Sequence, residues 1–213
     1  CILFNCGANK VYYKSFQIMG TIAEIQIADV NDDIALNASE KIISLLTQIE
    51  KEMSFNNPES YLSKINREAV LNKVKLEPDF YNLIKKSIET SEMTDGAFDI
   101  TFNPIWELWK KSAKENRLPS QNELNEAKAK VGFRKIILYP EENFMRFSQK
   151  GISINLGGIA KGYALIKCGQ LLKELDIKNA LINLGGDLIA VGSGKNGSGW
   201  KIGVQDPFKA GKI

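Results

Sequence analysis

Histidine is absent from this sequence of 213 residues. That excludes Ser-His-Asp and Cys-His catalysis, and any imidazole-bound metal, from what the chain supplies by itself. Cysteine is scarce. Three residues, at positions 1, 6 and 168, make neither a zinc pattern nor a disulfide framework. Cys168 lies in an apolar helical stretch and reads as a small buried hydrophobe. Charge of one sign is also lacking: 28 Lys and Arg against 25 Asp and Glu leave +3. No stretch joins basic residues to interleaved aromatics, so nucleic acid is not an expected partner. The pairs Lys85-Lys86 and Lys110-Lys111 read as solvated helix faces. No apolar run approaches the roughly 20 residues that span a bilayer. What is present, 44% apolar and 25% charged residues, is the composition of an ordinary globular protein with a real core.

The chain opens Cys-Ile-Leu-Phe-Asn-Cys-Gly-Ala-Asn with no initiator Met, which implies processing or a fragment. The apolar segment running into Cys6-Gly7 is similar to the end of a bacterial lipoprotein signal, with Cys1 a competing lipidated residue. An arbitrary boundary with incidental cysteines is the alternative. Residues 1–15 are therefore expected to be a tether and residues 16–213 one domain, since no linker is long or polar enough to divide them.

Alternation of Ile22, Glu24 and Gln26 against Ala23, Ile25 and Ile27 predicts a strand over Phe16–Ala28. A helix follows over Asn31–Met53, with Ile34, Ala38, Ile42, Leu45, Leu46, Ile49 and Met53 on one stripe. A short helix is expected around Tyr61–Asn66. Pro78 opens another that ends before Gly96, with Phe80, Leu83, Ile84, Ile88 and Met93 inward. An aromatic helix carrying Trp106 and Trp109 comes after Pro104. Ser120 caps a polar helix to about Val131, with Glu123 at capping-box spacing. Strands are expected at 134–139, 144–148 and 152–156, a helix at 159–175, and strands at 179–184, 187–191 and 200–205. Helices first and strands later argue for an α+β fold, helices packed on a mostly antiparallel sheet.

Ile154-Asn155-Leu156-Gly157-Gly158 recurs as Ile182-Asn183-Leu184-Gly185-Gly186. Each copy closes an apolar strand, and the first opens a helix. Glycines there let backbone approach a ligand, and free N–H groups at a helix start attract anions. The helix-end field adds only about 0.3–2 kcal/mol, so a pyrophosphate needs more. Lys161, one turn into the helix, supplies a charge, and a metal ion would supply more. The plainer alternative is that both pairs simply make tight turns.

Gly192-Ser193-Gly194-Lys195-Asn196-Gly197 matches the spacing G-x-G-x-x-G, but a strand-like segment follows where a dinucleotide site needs a helix. It reads as a hairpin loop. In Asp95-Gly96-Ala97-Phe98-Asp99-Ile100-Thr101, two readings stand. Either Gly96 ends a helix, Phe98 plugs the core and Asp99 with Thr101 orders a turn, or Phe98 and Asp99 face one ligand.

These segments together resemble a known family. Met19-Gly20-Thr21, residues 54–66, Gly96-Ala97-Phe98-Asp99-Ile100-Thr101, residues 155–163, Asn183-Leu184-Gly185-Gly186-Asp187 and the stretch 200–207 occur in the order seen in ApbE-type FAD:protein FMN transferases. The resemblance implies an ApbE-like fold. It also implies a magnesium-dependent transferase that links FMN from FAD to a Thr or Ser hydroxyl of a target protein and releases AMP. Carried over by position, Met19, Asn56, Ala97, Phe98, Asp99, Asn155, Lys161 and Asp187 bind FAD. Lys161 is the catalytic candidate and the Gly158 carbonyl a magnesium ligand. Asn155 stands where many relatives carry Asp, and Asn56 where many carry a Tyr that stacks on the flavin. The family pattern continues past Ile213 with further magnesium ligands, so the chain is expected to be the front part of such an enzyme, and not fully active alone. Implied acceptors are flavin-carrying subunits of redox-driven ion pumps or extracytoplasmic electron carriers. The implied location is the bacterial periplasm or membrane surface, with a lipid anchor. Alternatives are an FAD pyrophosphatase giving FMN and AMP, a non-catalytic FAD-binding module, or a membrane-tethered interaction protein without chemistry.

Overall fold

The computed structural model describes residues 11–204, 206 and 208. In chain order the strands are β1 (Tyr12–Ile18), β2 (Thr21–Ala28), β3 (Val74–Lys75), β4 (Ile136–Tyr139), β5 (Phe144–Phe147), β6 (Asn179–Leu184) and β7 (Asp187–Val191). The helices are α1 (Asp32–Met53), α2 (Tyr61–Glu68), α3 (Pro78–Met93), α4 (Asn103–Lys114), α5 (Gln121–Lys128) and α6 (Ala160–Glu174). All strand pairings among them are antiparallel. The expected α+β class is the one found. The described residues fall into two compact units, one made of those up to residue 48 and those from 161 onward, the other of residues 49–160. Cys1 and Cys6 lie outside the described residues, and Tyr12 to Ser15 belong to β1.

The first unit is built on the sheet β1-β2-β6-β7. Alternation in β2 puts Ala23, Ile25 and Ile27 on one buried face, in register with Leu184, Ile182 and Ala180 of β6. Helices supply apolar stripes to match: Ala35, Ala38, Ile42 and Leu46 of α1, and Ala164, Leu165, Cys168 and Leu172 of α6, are all buried. Tyr12 and Ser39 share a hydrogen bond of 3.0 Å that ties β1 to α1. Gly169 of α6 leaves room for Ile189 of β7, whose Cδ1 would lie 2.7 Å from an added Cβ. Burial pushes the Cys168 thiol up to about 12, so it stays protonated and inert. The other face of the sheet is more open: Tyr13 and Ile22 are about half exposed there, at 54% and 55%.

The second unit carries the sheet β3-β5-β4. Its core includes Leu62, Ile65, Leu76, Phe80, Ile84, Ile100, Met145, Ile154 and Leu156. Ser120 and Glu123 form the reciprocal capping box at the start of α5. Arg117 grips the same Glu123 carboxylate with two nitrogens, at 2.8 and 2.6 Å. With Ser120 it lowers that carboxyl from 4.5 to about 2. A depressed folded-state value means this support is complete above pH 4.5 and fades as the pH falls toward 2. Ser120→Ala is expected to cost about 1 kcal/mol in urea denaturation, the usual worth of such a cap.

Four expectations need correction. The strand over Phe16–Ala28 is two strands, broken by Met19 and Gly20 at φ 51° and 71°. Two left-handed residues match the twist of a tight hairpin, but Met-Gly lacks the Asn-Gly signature. Residues 152–156 lie outside both sheets although they alternate perfectly. A side chain takes the place of a partner strand: Asn66 accepts from the Ile154 N–H at 2.8 Å and donates to its carbonyl at 2.9 Å. Residues 200–204 form no strand, and Lys201 to Val204 are exposed. The loop before them is therefore not a hairpin among the described residues, and its only helical turn spans Lys195–Gly197. Finally, Ile34 and Met93 face outward, at 44% and 83% exposure, in the first turn of α1 and at the last residue of α3.

Candidate functional site

In the second unit the folding of two loops sets the geometry. α3 stops because Asp95 and Gly96 turn left-handed, at φ 49° and 79°, and the Gly96 N–H reaches back to the Ser91 carbonyl at 2.8 Å. The chain then runs alongside the first repeat copy, where the Asn155 N–H donates to the Ile100 carbonyl at 2.8 Å. That pairing lays the half-buried Phe98 ring over Gly158, its Cε2 3.3 Å from where a Cβ would stand. A Cβ at 158 would press on the Phe98 ring, which would have to give by a few tenths of an ångström, whereas the backbone angles there are not left-handed. Phe98, Asn155 and Gly158 are thus brought together, with Ala97 exposed beside them. Phe98 does not fill the core.

Asp99 is committed to structure. Its Oδ1 accepts from the Thr101 N–H and hydroxyl, at 2.8 and 2.6 Å, and its Oδ2 from the Phe133 N–H at 2.8 Å. Thr101 in turn accepts from the Gly132 N–H at 2.7 Å. This staple fastens the loop that carries Phe98. Asn155 is similarly engaged: its Oδ1 caps the Gly157 N–H at 2.9 Å and its Nδ2 donates to Asn103 at 3.3 Å. Asn103, buried before Pro104, also donates to Ser153 at 2.9 Å. The N–H groups of Ile159 and Ala160 go to the Leu156 carbonyl. Much of the free N–H cradle expected at this helix start is therefore already used. Asn56 is exposed in the turn after α1.

In the first unit the second repeat copy adopts a different shape. Gly185 and Gly186 are both left-handed, at φ 64° and 98°, and close the β6–β7 hairpin. Identical pentapeptides therefore fold differently, because one leads into a helix and the other into an antiparallel strand. They share one device: Asn183 Oδ1 caps the Gly186 N–H at 2.9 Å, as Asn155 caps Gly157. Asn183 is itself held by Glu24, which accepts from its Nδ2 at 2.9 Å and from the Tyr13 hydroxyl at 2.7 Å. Those two donors, Tyr13 first, keep the Glu24 carboxyl below its ordinary range, and Glu24 raises the Tyr13 hydroxyl in return. Gly185 packs against Thr21, beside the turn of Met19. At this same end of the sheet, Lys161 Nζ meets Asp187 Oδ2 at 3.0 Å.

Comparison with known proteins decides the family: its sequence model matches residues 19–213. This chain belongs to the ApbE family. An FAD:protein FMN transferase of Haemophilus influenzae is 27% identical over 210 residues, 95% of this chain and 61% of the relative. One from Treponema pallidum is 25% identical over 229 residues, covering all of this chain and 63% of the relative. The crystal structure of the ApbE protein from Thermotoga maritima aligns with a TM-score of 0.83 at 31% identity, over 96% of this chain and 66% of that one. The chain thus spans about three fifths of the length of the curated relatives it matches.

Against this ApbE background, the expected metal site is incomplete. Among the described residues no group of three or more His, Cys, Asp or Glu could hold a metal. The Gly158 carbonyl is one oxygen, and Asp187 is paired with Lys161. Magnesium needs six oxygens in near-octahedral array, several of them water or substrate. These residues alone do not fit it, so no step below runs through a metal. Asn103 and Glu24 hold the loops yet carried no signal in the sequence, because they bond to Ser153 and Asn183, far away in the chain, while Asn66 and Thr21 hold them from within the family blocks.

Proposed function

We propose that the complete protein transfers the FMN half of FAD to a Thr or Ser hydroxyl of an acceptor protein and releases AMP, with magnesium required. The observation that carries this reading is the family match over residues 19–213, whose curated members are named FAD:protein FMN transferases. In the second unit, Asn56, Ala97 and Phe98 are the FAD contacts in this reading, on loops that Asp99 and Asn155 hold in place, and the Gly158 carbonyl would offer magnesium one oxygen. In the first unit they are Met19 and Lys161. The acceptor oxygen bonds to the FMN phosphorus while the phosphorus–oxygen bond to AMP breaks. AMP leaves with the bridging oxygen, and the hydroxyl proton passes to solvent. Lys161 balances charge that builds on the pyrophosphate as that bond breaks. Acceptors would be flavin-carrying redox subunits or electron carriers outside the cytoplasm, where we also place this protein, lipid-anchored through Cys1 or Cys6. Among the described residues no helix is long and apolar enough to cross a membrane.

Chromatography of FAD incubated with the complete protein, magnesium and acceptor tests the reading. AMP accompanied by protein-bound flavin is the expected result, AMP with equal free FMN would mark a pyrophosphatase, and intact bound FAD a carrier. Asn56 bears on that balance, because an exposed Asn gives a flavin ring no aromatic partner. Asn56→Tyr is expected to lower the Kd for FAD about fivefold, the equivalent of roughly 1 kcal/mol of stacking, in a flavin-fluorescence titration. It should also reduce the free FMN released per AMP.

A further inference from the structure

We infer that Asp187 is a positioning residue for Lys161 and not a ligand of FAD. The inference rests on the flavin reading above. Asp187 follows a turn that is fixed at several points. Its peptide neighbour Gly186 is capped by Asn183, Asn183 is anchored by Glu24, and Glu24 by Tyr13, through contacts of 2.9, 2.9 and 2.7 Å. Gly185 is wedged on Thr21 with no space for a side chain and donates its N–H to the Ile22 carbonyl at 3.1 Å. The first residue after this fixed turn then takes the Lys161 ammonium at 3.0 Å.

Chemistry favours the same assignment. A carboxylate repels a pyrophosphate, so Asp187 gains nothing from facing the phosphates directly. As the counter-ion of Lys161 it aims a flexible four-carbon side chain before substrate arrives. It also competes with the pyrophosphate for that cation, and therefore weakens ground-state binding. The two roles predict opposite signs when the charge is removed. Losing a ligand weakens FAD binding, whereas losing a competitor strengthens it.

The test uses the complete protein, with FAD affinity from flavin fluorescence and kcat from AMP release. Asp187→Asn is expected to tighten FAD binding by up to about fivefold, the most an exposed ion pair supplies. It should lower kcat roughly tenfold, because a misaimed Lys161 no longer meets the developing charge. Asp187→Glu should recover most of kcat. In a Lys161→Met background the Asp187→Asn loss of kcat should vanish, since a residue acting through Lys161 has nothing left to act on. A melting temperature cannot mimic that pattern. Weaker FAD binding in Asp187→Asn, or an equal loss of kcat with and without Lys161, would overturn the inference. Failure of the unsubstituted protein to bind FAD is a separate result, and it would overturn the flavin reading and this inference with it.

Discussion

Alanine at position 185 will destabilise the protein by about 3 kcal/mol, the sum of two costs at one carbon atom. Gly185 is left-handed at φ 64°, where a Cβ meets its own backbone at roughly 1–2 kcal/mol. That Cβ would also stand 2.4 Å from Thr21 Oγ1 and 2.9 Å from Thr21 Cβ and Cγ2. Thr21 is β-branched and stiff, and it sits at the start of β2, so it cannot swing clear without moving the hairpin. Overpacking of this kind costs about 1–3 kcal/mol. Gly186 is the internal control. It is left-handed too, at φ 98°, but a Cβ there meets nothing within 4 Å. Urea denaturation should therefore show Gly186→Ala with the strain cost alone, and Gly185→Ala with clearly more. Equal costs would mean that Thr21 yields and that the turn is not wedged.

Lys161→Met should lower the rate of AMP release by about 10²–10³, the usual loss when one preorganised group facing transition-state charge is removed. Methionine keeps the length and apolar stem of lysine and deletes the charge. The ion pair it breaks is exposed at both ends, 34% and 54%, and such pairs are worth about 1 kcal/mol or less. Folding stability should hardly change, so the loss of rate will not be a loss of protein. Single-turnover AMP release and a thermal melt on the same preparation separate the two. A rate within threefold of the unsubstituted protein would remove Lys161 from the chemistry.

Much of the fold was legible because its signals are local. β6 and β7 fall at the residues expected for them, α6 differs by one residue at each end, and the α5 capping box is present as spaced. What failed depends on partners distant in the chain. Residues 152–156 have a strand's period, yet their partner is the amide of Asn66, 88 residues from Ile154. The hairpin at Met19 and Gly20 has no turn signature and is imposed by pairing of β1 with β2. The repeat illustrates the limit most directly. Five identical residues make a helix entry once and a left-handed hairpin turn once, and the following chain decides which. Family blocks named Phe98, Asn155, Gly158, Lys161 and Asp187, and the structure groups the first three and pairs the last two. That Asp99 and Asn155 spend their polar atoms on protein was invisible, since Phe133 and Asn103 are remote from them in sequence.

Covalent flavin formation tests the central claim most directly. The complete gene would be expressed in cells deleted for it, beside the Lys161→Met version, and denatured proteins inspected for flavin fluorescence after electrophoresis. We predict at least one fluorescent acceptor band that survives denaturation with the unsubstituted gene and is lost with Lys161→Met. FAD bound and recovered intact, with no covalent band in either strain, would contradict the account.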